Sequence, residues 1–409
     1  MAATRRNFFS WTRNALAASG LVNIRPDAAQ AAAAGEDYYA KLGVTKIINA
    51  AGTYTALTAS IMPPSVRAAV DEAAKHPVRL AELQRKAGEY IAGRLKCEAA
   101  LVSAGAASAL TLGTAACMTV GNQKAVAMLP LETASLKNEV IVQKSHRYGY
   151  DNAIKNCGIK FVEVETLADY EKAFTDRTVM CHFFNAAEGG QISHQQWVDV
   201  AHRHNVPCFN DAAADVPPIS NLWNYTRMGF DLVTFSGGKG LRGPQNAGLL
   251  LGRKDLIEAA GWSNSPHDET VGRGMKVAKE QIIGLVAAID WFLAQSDDGF
   301  QAEYRRRAER IAAALKGIPG VRHEIFVPPL ANAVPHLLIK YDMAKIAPLE
   351  VAERMRQGTP SIELNPSTGR KSGSAGLPNA EDALVIGVWM LQPGEDAIVG
   401  RRLREVLTA

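Results

Sequence analysis

Thr234-Phe235-Ser236-Gly237-Gly238-Lys239-Gly240-Leu241-Arg242-Gly243-Pro244-Gln245 lies between two short apolar runs, Leu232-Val233-Thr234-Phe235 and Ala247-Gly248-Leu249-Leu250-Leu251. Runs of this length read as buried strands, so Lys239 falls in a glycine-rich turn at a strand end. A lysine held there is open to a carbonyl compound and poorly shielded from a bound ligand, as a Schiff-base lysine must be. A nucleotide-binding P-loop needs a glycine five positions before its Gly-Lys pair, where this chain has Val233. Taken alone, the residue also reads as a solvated loop lysine.

Working outward from that turn, further short apolar runs repeat at Ala99–Val102, Glu139–Val142, Lys160–Val164, Val179–Phe183 and Pro207–Asn210. Helical stretches such as Gln195–His204 separate most of them. Strand–helix alternation of this kind predicts an α/β fold with a mainly parallel seven-stranded sheet covered on both faces. Its ligand site belongs at the carboxyl ends of the strands. A short helix and strand (Tyr38–Leu42, Lys46–Ala50) and a helix over Pro64–Ala74 precede the sheet, and a long helix over Lys276–Gln295 follows it. Beyond that, helix (302–315), strand (323–327), strand (336–339), helix (348–357) and helix (395–407) predict a smaller α+β domain. The expected divisions are a tail at 1–34, a segment at 35–75, a large domain at 76–295 and the small domain at 296–409.

Composition sets outer bounds on function. The chain of 409 residues is 47% hydrophobic and 21% charged, within the range of soluble globular enzymes. Three of its four net positive charges come from residues 1–34, where Arg5, Arg6, Arg13 and Arg25 face only Asp27. The near-balance elsewhere argues against nucleic acid as a partner. Thr4-Arg5-Arg6-Asn7-Phe8-Phe9-Ser10, an apolar run to Ile24 and Ala29-Gln30-Ala31 resemble a twin-arginine signal with its cleavage site, which predicts periplasmic export, the alternative being a cytoplasmic protein with an alanine-rich tail. Residues 99–123 carry no charge, but their glycine, alanine and serine content predicts strand, turn and buried helix rather than a membrane span. Five scattered cysteines read as free core thiols, and no metal site is expected, since His202 and His204 lie on a polar helix and read as solvated.

Three further positions bear on chemistry. Phe209-Asn210-Asp211-Ala212-Ala213-Ala214 ends a buried strand in a carboxylate among small residues. Such a carboxylate needs a cationic partner, and the ring nitrogen of pyridoxal 5′-phosphate would serve; a helix N-cap is the structural alternative. Gly105-Ala106-Ala107-Ser108 runs from a strand into a helix, offering backbone amides to a phosphate, although such turns also serve close packing. Ser236 adds a hydroxyl. In Lys144-Ser145-His146-Arg147-Tyr148 an aromatic ring could stack on a flat cofactor, and His146 is preferred over Tyr148.

Phosphate turn, His146, Asp211 and Lys239 in this chain order resemble the aspartate-aminotransferase-like fold type I of pyridoxal-phosphate enzymes. Ile48-Asn49-Ala50-Ala51-Gly52, the lysine turn and Gly252-Arg253-Lys254-Asp255-Leu256-Ile257 are similar to the bacterial selenocysteine synthase (L-seryl-tRNA(Sec) selenium transferase) group. Gly272-Arg273-Gly274-Met275-Lys276 and Trp389-Met390-Leu391-Gln392-Pro393-Gly394 resemble its smaller members, among them D-glucosaminate-6-phosphate ammonia-lyase. The resemblance implies that Lys239 carries the cofactor, Asp211 holds its ring nitrogen, His146 lies on the ring face, and Gly105–Ser108 with Ser236 take its phosphate. It implies a small amino substrate, β-elimination to a 2-oxo acid and ammonia, and a homodimer or larger assembly. Racemisation, transamination and a non-catalytic binding role are the alternatives. Arg273, Arg242 and Arg370 are candidates for a substrate carboxylate or phosphate. Little net basic charge after residue 34, and no counterpart here of the tRNA-binding segment, set the chain apart from selenium transferases, so transfer-RNA chemistry is not expected.

Overall fold

The computed structural model describes residues 36–187, 190–371 and 376–409. The residues that resemble a twin-arginine signal, 4–31, lie outside them. The chain divides into two units at Lys46 and Ile47. Of the first, the described part holds one short helix, Tyr38–Lys41, capped by the Asp37 carboxylate accepting from the amides of Tyr39 and Ala40.

In the second unit the strands are β1 (Ile47–Ala50), β2 (Ala99–Ser103), β3 (Glu139–Gln143), β4 (Lys160–Val164), β5 (Thr178–Phe184), β6 (Cys208–Asp211), β7 (Leu232–Ser236), β8 (Gly248–Gly252), β9 (Arg322–Phe326), β10 (His336–Lys340), β11 (Ser361–Leu364) and β12 (Ala383–Gly387). Seven of them form one sheet in the order β2-β8-β7-β6-β5-β3-β4. Every neighbouring pair is parallel except those made by β8, which runs antiparallel to β2 and β7. All seven strands expected from the apolar runs are present, within a residue or two of their expected ends.

Both sheet faces are covered, so the inner strands read as largely apolar runs rather than alternating ones, whereas the edge strand β4 leaves Lys160 and Glu163 exposed. One face packs a core that includes Ile91, Trp197, Phe235 and Phe292, from the helices Leu80–Leu95, His194–Arg203 and Lys279–Leu293 and from β7. The other packs Leu110, Ile154, Phe209 and Leu256. The uncharged stretch 99–123 takes the form of β2, a turn at Gly105 and the helix Ala106–Thr119, which is buried from Ser108 onward. Its small residues are a packing requirement: a Cβ on Gly113 would lie 2.4 Å from the Phe209 ring. Among the described residues no helix is long and apolar enough to cross a membrane, and all five cysteines are free.

The expected division at 295/296 falls between the helices Lys279–Leu293 and Asp297–Ala314. Beyond it, β12-β10-β9 form an antiparallel sheet packed by Asp297–Ala314 and Glu395–Thr408, and β1 pairs in parallel with β11. Neither β11 nor β12 is among the strands expected from the sequence.

Candidate active site

Register brings the chemistry to one edge of the sheet. Ser103 at the end of β2 and Ser236 at the end of β7 both pair with Gly248, the first residue of β8 between them. Asp211 at the end of β6 pairs with Thr234 on one side and Phe184 on the other. The phosphate turn, the buried carboxylate and the lysine turn therefore leave the sheet side by side.

The turn after β7 is held by backbone contacts that leave no room for side chains. A Cβ on Gly240 would lie 1.9 Å from the Val216 carbonyl oxygen, and one on Gly238 2.4 Å from that of Gln245. The Gly237 amide donates to Ala247 (2.8 Å), the Gly243 amide to Gly237 (2.7 Å) and the Ser60 hydroxyl to the Gly238 carbonyl (2.6 Å). Out of this rigid turn projects Lys239, half-buried, its Nζ without a hydrogen-bond or ion-pair partner among the described residues. Burial lowers its pKa, and the carboxylates of Asp211 and Asp215 pull it back up.

Asp211 is 4% exposed. Its Oδ1 accepts the Ala213 amide at 3.0 Å and its Oδ2 accepts the Tyr148 hydroxyl. The next helix starts only at Asn221, so Asp211 is not a helix cap. Burial raises its pKa, while Tyr148, the Ala213 amide and Lys239 favour the ionised form. Two neutral donors do not compensate a buried negative charge, so the geometry calls for a cation beside it.

Of the two aromatic candidates in the loop after β3, Tyr148 contacts Asp211 and His146 does not. The Tyr148 ring stacks on Phe184 with centroids 4.0 Å apart. Burial raises the pKa of its hydroxyl, which stays a donor. His146 points into the core, where Nδ1 accepts the Phe184 amide at 3.1 Å, Nε2 lies 3.2 Å from the Gln143 amide nitrogen and the ring meets the Phe183 edge. Burial lowers its pKa to about 4, so the ring is neutral. Of the two, the ring at Asp211 is therefore that of Tyr148, two residues beyond His146 and just after the short 3-10 turn Lys144–His146.

At the phosphate turn Gly105 takes a positive φ of 86° before the helix, and no side chain caps the first amides. The Ser108 hydroxyl is spent on the Ala104 carbonyl (2.7 Å) and that of Ser103 on Gly105 (3.0 Å). The amides of Ala106, Ala107 and Ser108 thus remain for an anion, together with the Ser236 hydroxyl, which has no partner among the described residues. An open amine, a buried carboxylate lacking a cation and a helix start lacking a cap form a donor set that fits pyridoxal 5′-phosphate.

Asp215, not singled out in the sequence, belongs to the same cluster. Its Oδ2 accepts from Asn185 (2.6 Å) and Tyr225 (2.9 Å), and Asn185 in turn meets His194 Nε2 at 2.7 Å. Burial raises its pKa to about 6.

The three arginines are placed differently. Arg242 has a left-handed backbone (φ 56°), donates to the Trp389 carbonyl at 2.6 Å and lines a cleft of about 480 Å³ with Trp291, Glu303 and Arg307. Arg273 pairs with Asp268 at 3.2 Å. Arg370 is exposed, next to residues outside the description. The Arg242 amide donates to the Lys239 carbonyl at 3.0 Å, and none of the three guanidinium groups bonds the Lys239 amine among the described residues. His202 is exposed, as expected, yet the fold brings to it two partners that sequence spacing does not show, Cys208 of β6 and Asp231 just before β7, with His202 Nε2 3.0 Å from the carboxylate. That carboxylate also accepts the Cys208 amide and Arg253, an ion-paired arrangement. His204 is exposed, as expected, and stacks on Phe174 with ring centroids 3.9 Å apart.

The chain is similar to known proteins along most of its length. The family described as SelA, L-seryl-tRNA selenium transferase, matches residues 47–322. D-glucosaminate-6-phosphate ammonia lyase of Salmonella typhimurium is 27% identical over 387 residues, which cover 90% of this chain and 97% of that one. A solved structure of D-glucosaminate-6-phosphate ammonia-lyase superposes with a TM-score of 0.78 at 25% identity, covering 91% and 98% of the two chains. The pyridoxal-5′-phosphate-dependent protein YhfS of Escherichia coli shares the fold, with a TM-score of 0.52 at 17% identity over 80% of this chain and 86% of its own.

Proposed function

This chain belongs to the L-seryl-tRNA selenium transferase family, and from that premise we propose that it is a pyridoxal 5′-phosphate-dependent carbon–nitrogen lyase. Its substrate class is a small 2-amino-3-hydroxy acid, such as an amino-sugar acid. The observation that carries this reading is Lys239, an unpartnered amine in a rigid turn beside the buried Asp211 carboxylate. Likeness to the ammonia lyase along nearly the whole chain supports the choice of elimination.

Bound at this edge, the cofactor supplies an aldehyde that captures amines and a ring that accepts electrons from the substrate's α-carbon. The chain's own residues do the rest. The amides of Ala106, Ala107 and Ser108 and the Ser236 hydroxyl hold the phosphate. Asp211 keeps a proton on the ring nitrogen, and Tyr148 and the Ala213 amide keep that carboxylate ionised and aimed. The Lys239 amine, neutral more readily than that of an exposed lysine because burial disfavours its charge, would serve as the base at the substrate's α-carbon. It takes the α-proton and returns a proton to the departing β-hydroxyl, which leaves as water. The enamine released from the site then takes up water, giving a 2-oxo acid and ammonia, so atoms balance without a further reactant.

The test is a panel of β-hydroxy amino acids and amino-sugar acids, free and phosphorylated, incubated with the yellow holoenzyme. Equimolar ammonia and 2-oxo acid are expected from at least one, and none from Lys239→Ala. Inversion of the α-carbon without ammonia would show a racemase instead.

A further inference from the structure

We propose that Asp215 is a positioning residue that keeps a proton on the Lys239 nitrogen while that nitrogen carries the cofactor. This rests on the pyridoxal-phosphate reading above and goes beyond it by assigning the site a second, separately acting carboxylate.

Asp215 is 6% exposed and lies four residues after Asp211 in a segment pinned at both ends. Its amide donates to Ala212 at 3.1 Å and its carbonyl accepts from Asn221 at 2.8 Å. One carboxylate oxygen takes two neutral donors, Asn185 and Tyr225. The other, Oδ1, is buried and has no partner among the described residues. A carboxylate left in this state is costly, and the one cation that acts on it is Lys239. The charged and titratable groups facing it are Asp211, Lys239 and Tyr225, with His194 one step away through Asn185.

Charge balance then separates the two acids. With the cofactor bound, Asp211 is committed to the protonated ring nitrogen. Asp215 is left with no cation except a protonated Lys239 nitrogen, and by reciprocity its negative charge raises that nitrogen's proton affinity. Asn185 and Tyr225 serve the device by favouring the ionised carboxylate.

The readout is the pH midpoint at which the holoenzyme's yellow absorbance is lost, a property that a purely structural role would not move. Asp215→Asn is expected to lower that midpoint by about 1 pH unit or more, whereas Asp215→Glu, which keeps the charge, restores it. Should Asp215→Asn not fold, Asn185→Ala keeps the carboxylate but weakens its ionisation, and a smaller shift in the same direction is expected. Unchanged midpoints in yellow, folded variants would overturn the role of Asp215 and leave the cofactor reading intact. A wild-type protein that takes up no pyridoxal phosphate would remove the cofactor reading itself, and this inference with it.

Discussion

At the scale of single residues the site separates into groups that carry charge and groups that hold them. Asp211→Asn keeps the shape but cannot hold a proton on the ring nitrogen, and kcat is expected to fall about 10²–10⁴-fold. Tyr148→Phe removes only the hydroxyl donated to Asp211. That bond favours the ionised carboxylate, so its loss lets the carboxyl pKa rise further and weakens the grip on the ring. A hydrogen bond to a charged group contributes about 1.5–3 kcal/mol, so a loss in kcat of at least about tenfold is expected, with Asp211→Asn the more damaging of the two. Ammonia release at saturating substrate measures both, and a Tyr148→Phe enzyme as fast as wild type would show that the hydroxyl does not orient the acid. Lys239 and Asp211 were legible in the sequence because each stands where an apolar run meets small residues, a local signal. Tyr148 and Asp215 were not, because what marks them is spatial: one crosses from the loop after β3 to the end of β6, and the other meets Asn185 from the turn after β5 and Tyr225 from the helix Asn221–Met228.

At the scale of elements, the inner strands of the main sheet could be read because burial on both faces makes them largely apolar, while the edge strand β4, with Lys160 and Glu163 exposed, shows through its aromatic and β-branched residues. β11, only Ser361–Leu364, pairs with β1 more than three hundred residues earlier, and four residues show no period of their own. Similarly, the helix expected from residue 302 starts at Asp297, where the Ser296 hydroxyl accepts the Gly299 amide at 3.0 Å, a cap whose chemistry is in the sequence but was not weighed. The lysine turn depends on contacts of backbone with backbone. Gly240→Ala must push a methyl group against the Val216 carbonyl, which is itself main chain and cannot rotate away. Overpacking of this kind costs about 1–3 kcal/mol. The variant is therefore expected to melt at lower temperature and, because the displaced turn carries Lys239, to bind pyridoxal phosphate at least about tenfold more weakly. A variant that melts and binds like wild type would show the turn to be pliable.

At the scale of the whole molecule, the cores enclose imidazoles that are neutral in the folded chain. His182 is fully buried with no partner on either ring nitrogen among the described residues, and His336, on β10, lies against the Val334 carbonyl at 2.8 Å. Burial lowers His146 and His336 to about 4 and His182 to about 3. Unfolding returns each to the ordinary value of about 6.5, so between about pH 6.5 and 4 the unfolded chain binds more protons and stability is lost as the pH is lowered. Asp215, raised to about 6, and Asp211, also raised, work the other way, since folded carboxyls then bind protons that unfolded ones release. Three histidines outweigh two carboxyls near pH 5. The melting temperature of the cofactor-free protein is therefore expected to drop steadily from pH 6.5 to 4, with net uptake of about one to two protons on unfolding. His182→Leu removes one of those protons and an imidazole with no partner, so it should flatten the slope by about one proton and leave the protein more stable than wild type at pH 5. A slope that is zero or reversed, or one that His182→Leu does not change, would mean that the core histidines are already charged in the folded state.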